Sequence, residues 1–468
     1  MNIQTEQKEF TSVHFERPIA KARIPLGIAI IAALAGFIFG FDTVVISGAN
    51  LPIKELWHTT PWFHGFFIMS MALWGTVIGA IFGGIPTQKY GRKKILLWIG
   101  ILFAVSAIGS ALAPDPYIFS LFRFMGGIGI GVSSVAAPTY ISEISTPASR
   151  GRLVAMYQFN IVFGILIAFL SNYFLKGIGE NDWRWMLGIL VIPAIIYTLL
   201  VIRVPESPRW LIARKNNKDA AKKVLTKIGV AEVDKEVNSI IDSIEHETVS
   251  GSSRGLFSSK YSTVLWLAFM VAFFNQWSGI NFILYYAPEI LERAGLAAKE
   301  SLFNSIAIGG TNLLFTFVGL YFIDKAGRKR LLTVGSLGYI VSLGMVAWCF
   351  YSHASAGVLL SFLLLFIASH AIGQGAVIWV FIAEIFPNKV RALGQSFGAS
   401  THWIFAALIT LITPVFLDSK YGIFKENPWP IFAFFAFMMI LQLIWVLTKV
   451  PETKGVSLEQ LERNLIKE

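Results

Sequence analysis

Apolar runs long enough to cross a lipid bilayer recur along this chain, separated by short polar turns. Six lie near 24–49, 63–85, 95–113, 117–140, 153–174 and 185–203, and six more near 262–290, 302–323, 331–351, 358–383, 394–417 and 430–448. A helix needs roughly 20 apolar residues to span the hydrocarbon core, because lipid offers its backbone no hydrogen-bond partners. The pattern predicts twelve spanning helices in two sets of six, an all-α membrane protein. Between the sets, charged and apolar residues alternate from Asn217 to Glu247, with Ala220, Ala221, Val224 and Leu225, then Val237, Ile240, Ile241 and Ile244, at the spacing of short amphipathic helices.

The two sets repeat each other. Tyr90-Gly-Arg-Lys-Lys after the second run recurs as Ala326-Gly-Arg-Lys-Arg after the eighth. Tyr140-Ile-Ser-Glu143 with Arg150 recurs as Phe381-Ile-Ala-Glu384 with Arg391, and Pro205-Glu206 recurs as Pro451-Glu452. Parallel repeats of six helices put a binding site near mid-membrane between the halves, where rocking one half against the other exposes it to either side. Glycines at close-packing spacing (Gly36 and Gly40; Gly75, Gly79 and Gly83; Gly127 and Gly131) let helices approach closely and slide.

With 55% hydrophobic and 14% charged residues, the chain is too apolar for one or two soluble domains. The net charge of +11 would suggest nucleic acid in a soluble protein. Here the basic residues cluster in alternate loops: Lys89, Arg92, Lys93 and Lys94; Arg150 and Arg152; Lys325, Arg328, Lys329 and Arg330; Lys389 and Arg391. That alternation reads as positive-inside topology, with no nucleic-acid partner expected and both termini in the cytoplasm. The division expected is a cytoplasmic N-terminus over 1–23, a first bundle over 24–203, a cytoplasmic helical linker over 204–261, a second bundle over 262–449 and a cytoplasmic tail over 450–468. Residues 1–23 mix acids and bases, and the apolar run that follows is long and lacks a small-residue cleavage pattern, so no cleaved signal peptide is expected. Cys349 is the sole cysteine, lies in an apolar run and reads as lipid-facing or core filler.

Asp42 and Arg123 are charges of opposite sign inside the first and fourth apolar runs. Each is expensive alone in lipid surroundings, and pairing is the simplest solution. A motion that separates them would drive proton uptake by the acid, which makes the pair a switch; a static pair that fixes helix register is the alternative. A neutral polar group comprises Gln158, Asn275, Gln276, Asn281, Tyr285, Tyr286 and Asn312. Amides supply donors and acceptors that suit sugar hydroxyls, although they also serve as glue between membrane helices. Gly279 permits local unwinding that turns Gln276 toward the face shared by Asn281 and Tyr285. Trp379 and Trp403 lie within runs rather than at their ends, suited either to stacking on a sugar's C–H face or to bundle packing. Glu143 with Arg150 and Arg152, Glu206 with Arg209, Asp324 with Arg328 and Glu384 with Arg391 sit at helix ends on the basic side, placed to latch the halves together or simply to set topology.

Gly251-Ser-Ser-Arg-Gly255 matches G-x-S-x-G but lies in a polar loop without the strand–turn–helix of a nucleophile elbow. No H-E-x-x-H motif, P-loop or cluster of metal ligands occurs, so neither enzymatic activity, cofactor nor metal is expected. A transporter-like receptor is disfavoured by the short stretch after Pro451.

The chain resembles the sugar porter family of the major facilitator superfamily along its whole length. The matching motifs are Phe39-Gly-Phe-Asp42-Thr-Val-Val-Ile-Ser-Gly48, Arg123 with its glycine run, Pro205-Glu-Ser-Pro-Arg-Trp210, Asn275-Gln-Trp-Ser-Gly-Ile-Asn281, Asp324-Lys-Ala-Gly-Arg-Lys329 and Pro451-Glu-Thr-Lys-Gly455. The resemblance implies a major facilitator fold and alternating-access carriage of a monosaccharide across a bacterial inner membrane, by a chain functional as a monomer. It implies sugar contacts at Gln158, Gln276, Asn281, Asn312 and Trp379, and proton symport through Asp42 with Arg123, since passive members carry a neutral residue at the Asp42 position. A passive facilitator is the runner-up. Asn275 and His402 depart from the family's usual glutamine or amide, Thr87 from the acid of the first basic loop, and Ile165 and Leu190 from polar residues of the family's xylose carriers. His370 and His402 are similar to its fructose facilitators, while Trp379 is not, so the sugar stays open among xylose, glucose, galactose and fructose.

Overall fold

The computed structural model describes residues 19–145, 149–250, 255–387, 390–456 and 458–465. Most of the residues before the first apolar run, Lys389, and the loop motif from Gly251 to Arg254 lie outside them. Eleven spans among the described residues are long and apolar enough to cross a membrane, and the bent pair Pro61–Met69 with Met71–Phe82 makes a twelfth. They form two six-helix halves joined by the helices Pro208–Lys215, Lys218–Lys227 and Val233–Ser250. The amphipathic spacing of the linker is thus realised; the side chain of Asn217 caps the middle helix by accepting from the Ala220 N–H. A further helix, Leu458–Leu465, follows the last span.

The spans depart from straight rods where the site needs shape. The first helix runs Ile19–Trp57, eight residues past its apolar run. Asn50 and Lys54, which end the run on paper, are accommodated by partners on the other half, described below. The second span bends by 43° after the π-helical turn His64–Met69, where one widened turn breaks the regular ladder. The seventh span is broken between Ser262–Trp277 and Ile280–Arg293, and the tenth between Ala356–Ile372 and Gln374–Ile385.

Small residues set the closest crossings. A Cβ on Gly40 would lie 1.8 Å from the Ile161 carbonyl oxygen, and one on Gly164 2.1 Å from that of Phe37, so the first and fifth spans meet backbone to backbone. Gly75, Gly79, Gly127 and Gly131 do the same between the second and fourth spans. Cys349 is buried in the core rather than facing lipid.

At the basic end the repeat is visible in detail. Gly91 and Gly327 adopt φ of +97° and +92°, and a side chain on either would collide with Glu206 or Glu452 respectively. Those two carboxylates fill equivalent posts. Glu206 accepts the backbone N–H groups of Arg92, Lys93 and Ser207, and Glu452 those of Arg328 and Lys329, at the starts of the third and ninth spans.

Candidate functional site

Asp42 and Arg123 meet in the interior of the first half. Arg123 Nη1 donates to Asp42 Oδ1 at 2.5 Å, and Nη2 to the Asp42 carbonyl at 3.2 Å. The side chains are 1% and 2% exposed, so this pair is removed from both water and lipid. Asp42 Oδ2 and Arg123 Nε make no hydrogen bond. The second carboxylate oxygen faces the Gly126 turn: a Cβ there would stand 3.7 Å from it and 2.3 Å from Ser106 Oγ, a hydroxyl also without a partner. The carboxylate is thus held by the guanidinium through one oxygen only.

The opposite half supplies an amide cluster at the break of the seventh span. Gly279 takes φ +85°, a left-handed conformation that ends one helix and starts the next. The break brings three amides into one chain of bonds. Gln276 Nε2 donates to Asn275 Oδ1 at 2.9 Å, and Asn281 Nδ2 donates to Gln276 Oε1 at 2.8 Å. His402, from the eleventh span, lies 3.1 Å from Gln276 Nε2 through its own Nε2. Trp379 and Trp403 flank the imidazole with centroids at 5.0 and 4.7 Å. Trp403 also packs on Phe39 of the first half at 5.6 Å, which puts this cluster on the face between the halves. Trp379 is 36% exposed although it lies mid-span.

Asn275, Gln276, Asn281, Trp379 and Trp403 are therefore brought together. Tyr285 of the second half is fully buried near Asp42 and Arg123, and its hydroxyl makes no hydrogen bond. Gln158 and Asn312 are on the fifth and eighth spans, which pack across the halves through Phe159 and Phe317 at 5.3 Å. His370 donates to or accepts from Tyr339 Oη at 2.7 Å.

The basic-end charges pair differently from their expected partners. Glu143 is bound by Arg92 at 2.7 Å, not by the exposed Arg150 or Arg152. Glu384 takes the forked guanidinium of Arg328 at 2.7 and 3.1 Å, while Arg391 donates to the Phe386 carbonyl. Arg328 also reaches Asp324 at 3.1 Å as expected, and Arg209 donates to Ser243 in the linker. Arg92 and Arg328 are equivalent in the repeat, and each recruits the acid of the fourth or tenth span because both open a helix that starts beside it. Each of these ion pairs lies within one half, and the Arg209 contact lies within the linker. A static latch between the halves is not what they form here.

Among the described residues, the side-chain hydrogen bonds between the halves lie instead at the far end. Asn50 Nδ2 donates to Glu289 Oε2 at 2.7 Å, and His64 bridges Asn50 Oδ1 at 2.7 Å and Thr59 Oγ1 at 2.8 Å. Lys54 pairs with the fully buried Asp418. A Cβ on Gly65 would stand 1.9 Å from the Leu411 carbonyl, so the second and eleventh spans touch there. Glu289, Asn50 and His64 went unnoticed in the sequence because they sit where apolar runs end and look like loop polarity; Pro288 beside Glu289 was the available signal.

Two repeated six-helix halves, closed on each other at one end and enclosing a buried ion pair and an amide-lined face, make up a secondary membrane transporter. The chain belongs to the sugar transporter family: residues 28–465 match the family model described as "Sugar (and other) transporter". It is 35% identical to the arabinose-proton symporter of Bacillus subtilis over 94% of this chain and 95% of that protein. It is 36% identical to the galactose-proton symporter of Escherichia coli, over 94% of each, and 32% identical to that organism's D-xylose-proton symporter, over 93% and 94%. The inward open structure of the xylose transporter from E. coli superposes with a TM-score of 0.82 at 31% identity, covering 94% of this chain and all of that one. The structure of the same symporter bound to 6-bromo-6-deoxy-D-glucose gives 0.77 over 95% of this chain.

Proposed function

We propose that this chain is a proton-coupled monosaccharide symporter working by alternating access, with the basic end and both termini in the cytoplasm of a bacterial inner membrane. The reading rests on one observation above others, the desolvated Asp42–Arg123 pair with a carboxylate oxygen left free. Coupling follows from electrostatics. With the pair intact the guanidinium compensates the carboxylate; a rocking motion that draws Arg123 away leaves a bare charge in low dielectric, which favours proton uptake. Tyr285, anchored in the second half beside this pair, gives that half a handle on it.

Sugar binding falls to Gln276, Asn281 and Asn275, with Gln158 and Asn312 on the facing spans and Trp379 and Trp403 offering ring faces. Amides arranged around a break in a span present both donors and acceptors, which suits hydroxyls that are themselves both. Glu143, Arg92, Glu384 and Arg328 act as hubs within each half, with Glu206, Arg150, Arg209, Asp324 and Arg391 around them, and they rearrange across the halves when the basic end closes. The two bodies that rock are 24–203 and 262–449, tied by 204–261, and one monomer contains the complete pathway. The relatives named as proton symporters for arabinose, galactose and xylose support this reading.

The test is accumulation in proteoliposomes under an imposed potential. Each co-transported charge is worth about 2.3 kcal/mol per 100 mV, or roughly fiftyfold accumulation of labelled sugar. A passive facilitator would equilibrate the sugar without concentrating it. Competition by unlabelled arabinose, galactose, xylose, glucose and fructose then assigns the substrate.

A further inference from the structure

Outside the transport pathway, the basic end carries a cavity of about 370 Å³ between the end of the second span and the first linker helix. Its walls are Ile85, Gln88, Lys89, Trp210, Arg214 and Lys215. Three cations therefore converge on one hollow. Lys89, Arg214 and Lys215 are exposed, and among the described residues no carboxylate pairs with any of them. The nearest acid of the repeat motif, Glu206, is already engaged by three backbone N–H groups. Lys222, further along the linker, is by contrast paired with Asp234 at 2.6 Å.

The hollow is built rather than incidental. Trp210 is buried and its indole N–H donates to the Gln88 carbonyl at 2.8 Å, which pins the linker helix to the end of the second span and forms the floor. The Lys215 ammonium lies 5.8 Å from the Trp210 ring and that of Lys89 5.3 Å from the Tyr90 ring, so aromatic faces steady two of the three charges. At the matching place in the second half, the Lys454 ammonium donates to the Lys325 carbonyl.

Position decides the class of ligand. Phe82, Ile85 and Tyr90 are 53, 64 and 50% exposed, an apolar strip that descends the second span and ends at the cavity. A molecule that lays a hydrocarbon chain on that strip brings its polar head to the three cations. We propose that this cavity binds the phosphate of an anionic phospholipid, holding the linker against the first half through its headgroup. A phosphodiester oxygen pair accepts from Arg214 and the two ammoniums while the acyl chain follows Ile85 and Phe82.

The test uses the full chain purified in detergent, with retained phosphatidylglycerol counted by native mass spectrometry across a lipid titration. A triple variant Lys89→Gln, Arg214→Gln, Lys215→Gln is compared with Lys218→Gln, Lys223→Gln, Lys227→Gln, which removes the same charge from the linker but outside the cavity. At about 1 kcal/mol per cation, the cavity variant should bind the tightest lipid on the order of a hundredfold more weakly, with the control near wild type. Equal weakening in both variants, or in neither, overturns the site. Inorganic phosphate is the third arm: if it displaces the lipid at low millimolar concentration, the cavity serves a free anion and the lipid assignment fails. Unchanged melting temperature and sugar counterflow in the cavity variant keep a folding defect from imitating the result.

Discussion

Arg123 grips Asp42 through a carboxylate oxygen and a backbone carbonyl together, so removing the guanidinium strands a buried charge. Arg123→Ala is expected to destabilise the protein by roughly 3–5 kcal/mol, read as a fall in melting temperature in detergent. Adding Asp42→Asn to that variant should recover most of the loss, because the stranded charge is gone; strict additivity of the two changes would show that the residues do not interact. Gln276 holds the amide chain together, with bonds to Asn275 and Asn281. Gln276→Ala should weaken sugar binding about tenfold or more with the fold retained, as befits the loss of one or two neutral hydrogen bonds at about 1 kcal/mol each, measured by competition binding. Isolated charges in apolar runs announce themselves, which is why Asp42 and Arg123 could be paired on paper. Glu143 could not be matched to Arg92 in the same way: several arginines lie within reach of each loop acid, and the choice is made by which helix starts beside it.

Among the elements, the broken seventh span carries most of the design. Gly279 combines φ +85° with a Cβ position 2.8 Å from the Phe435 ring, so Gly279→Ala meets both backbone strain and a clash. The left-handed conformation alone costs about 1–2 kcal/mol for an L-residue. The variant should therefore melt lower and transport more slowly, and a variant indistinguishable from wild type in both would mean that the break does not shape the site. This break was legible because a glycine interrupts an otherwise apolar run beside three amides. The bend of the second span was not, since His64-Gly-Phe-Phe-Ile-Met69 reads as ordinary helix and the π turn arises from packing against the eleventh span. The first helix was cut short on paper for the opposite reason: its last turns are polar by composition yet buried by contact with the other half.

For the whole molecule, the halves close at the far end through Asn50–Glu289, Lys54–Asp418 and the Gly65–Leu411 crossing. Removing the ion pair with Lys54→Ala and Asp418→Ala should release that end. Spin labels at Trp62→Cys and Tyr421→Cys, both exposed there, should then report a larger share of long distances; Cys349 is buried and adds little background. An unchanged distance distribution would mean that these contacts do not hold the gate. Twelve spans in two repeated halves could be read from hydropathy and motif recurrence, but which end is shut could not, because closure is a choice among contacts the same sequence makes by turns.

The most direct measurement of the account is the pH of a lightly buffered medium outside energy-depleted cells as sugar is added. Wild-type protein should alkalinise the medium as protons enter with sugar. Asp42→Asn should abolish that signal while exchanging labelled for unlabelled sugar across the membrane. An Asp42→Asn protein that still moves protons with sugar would contradict the account.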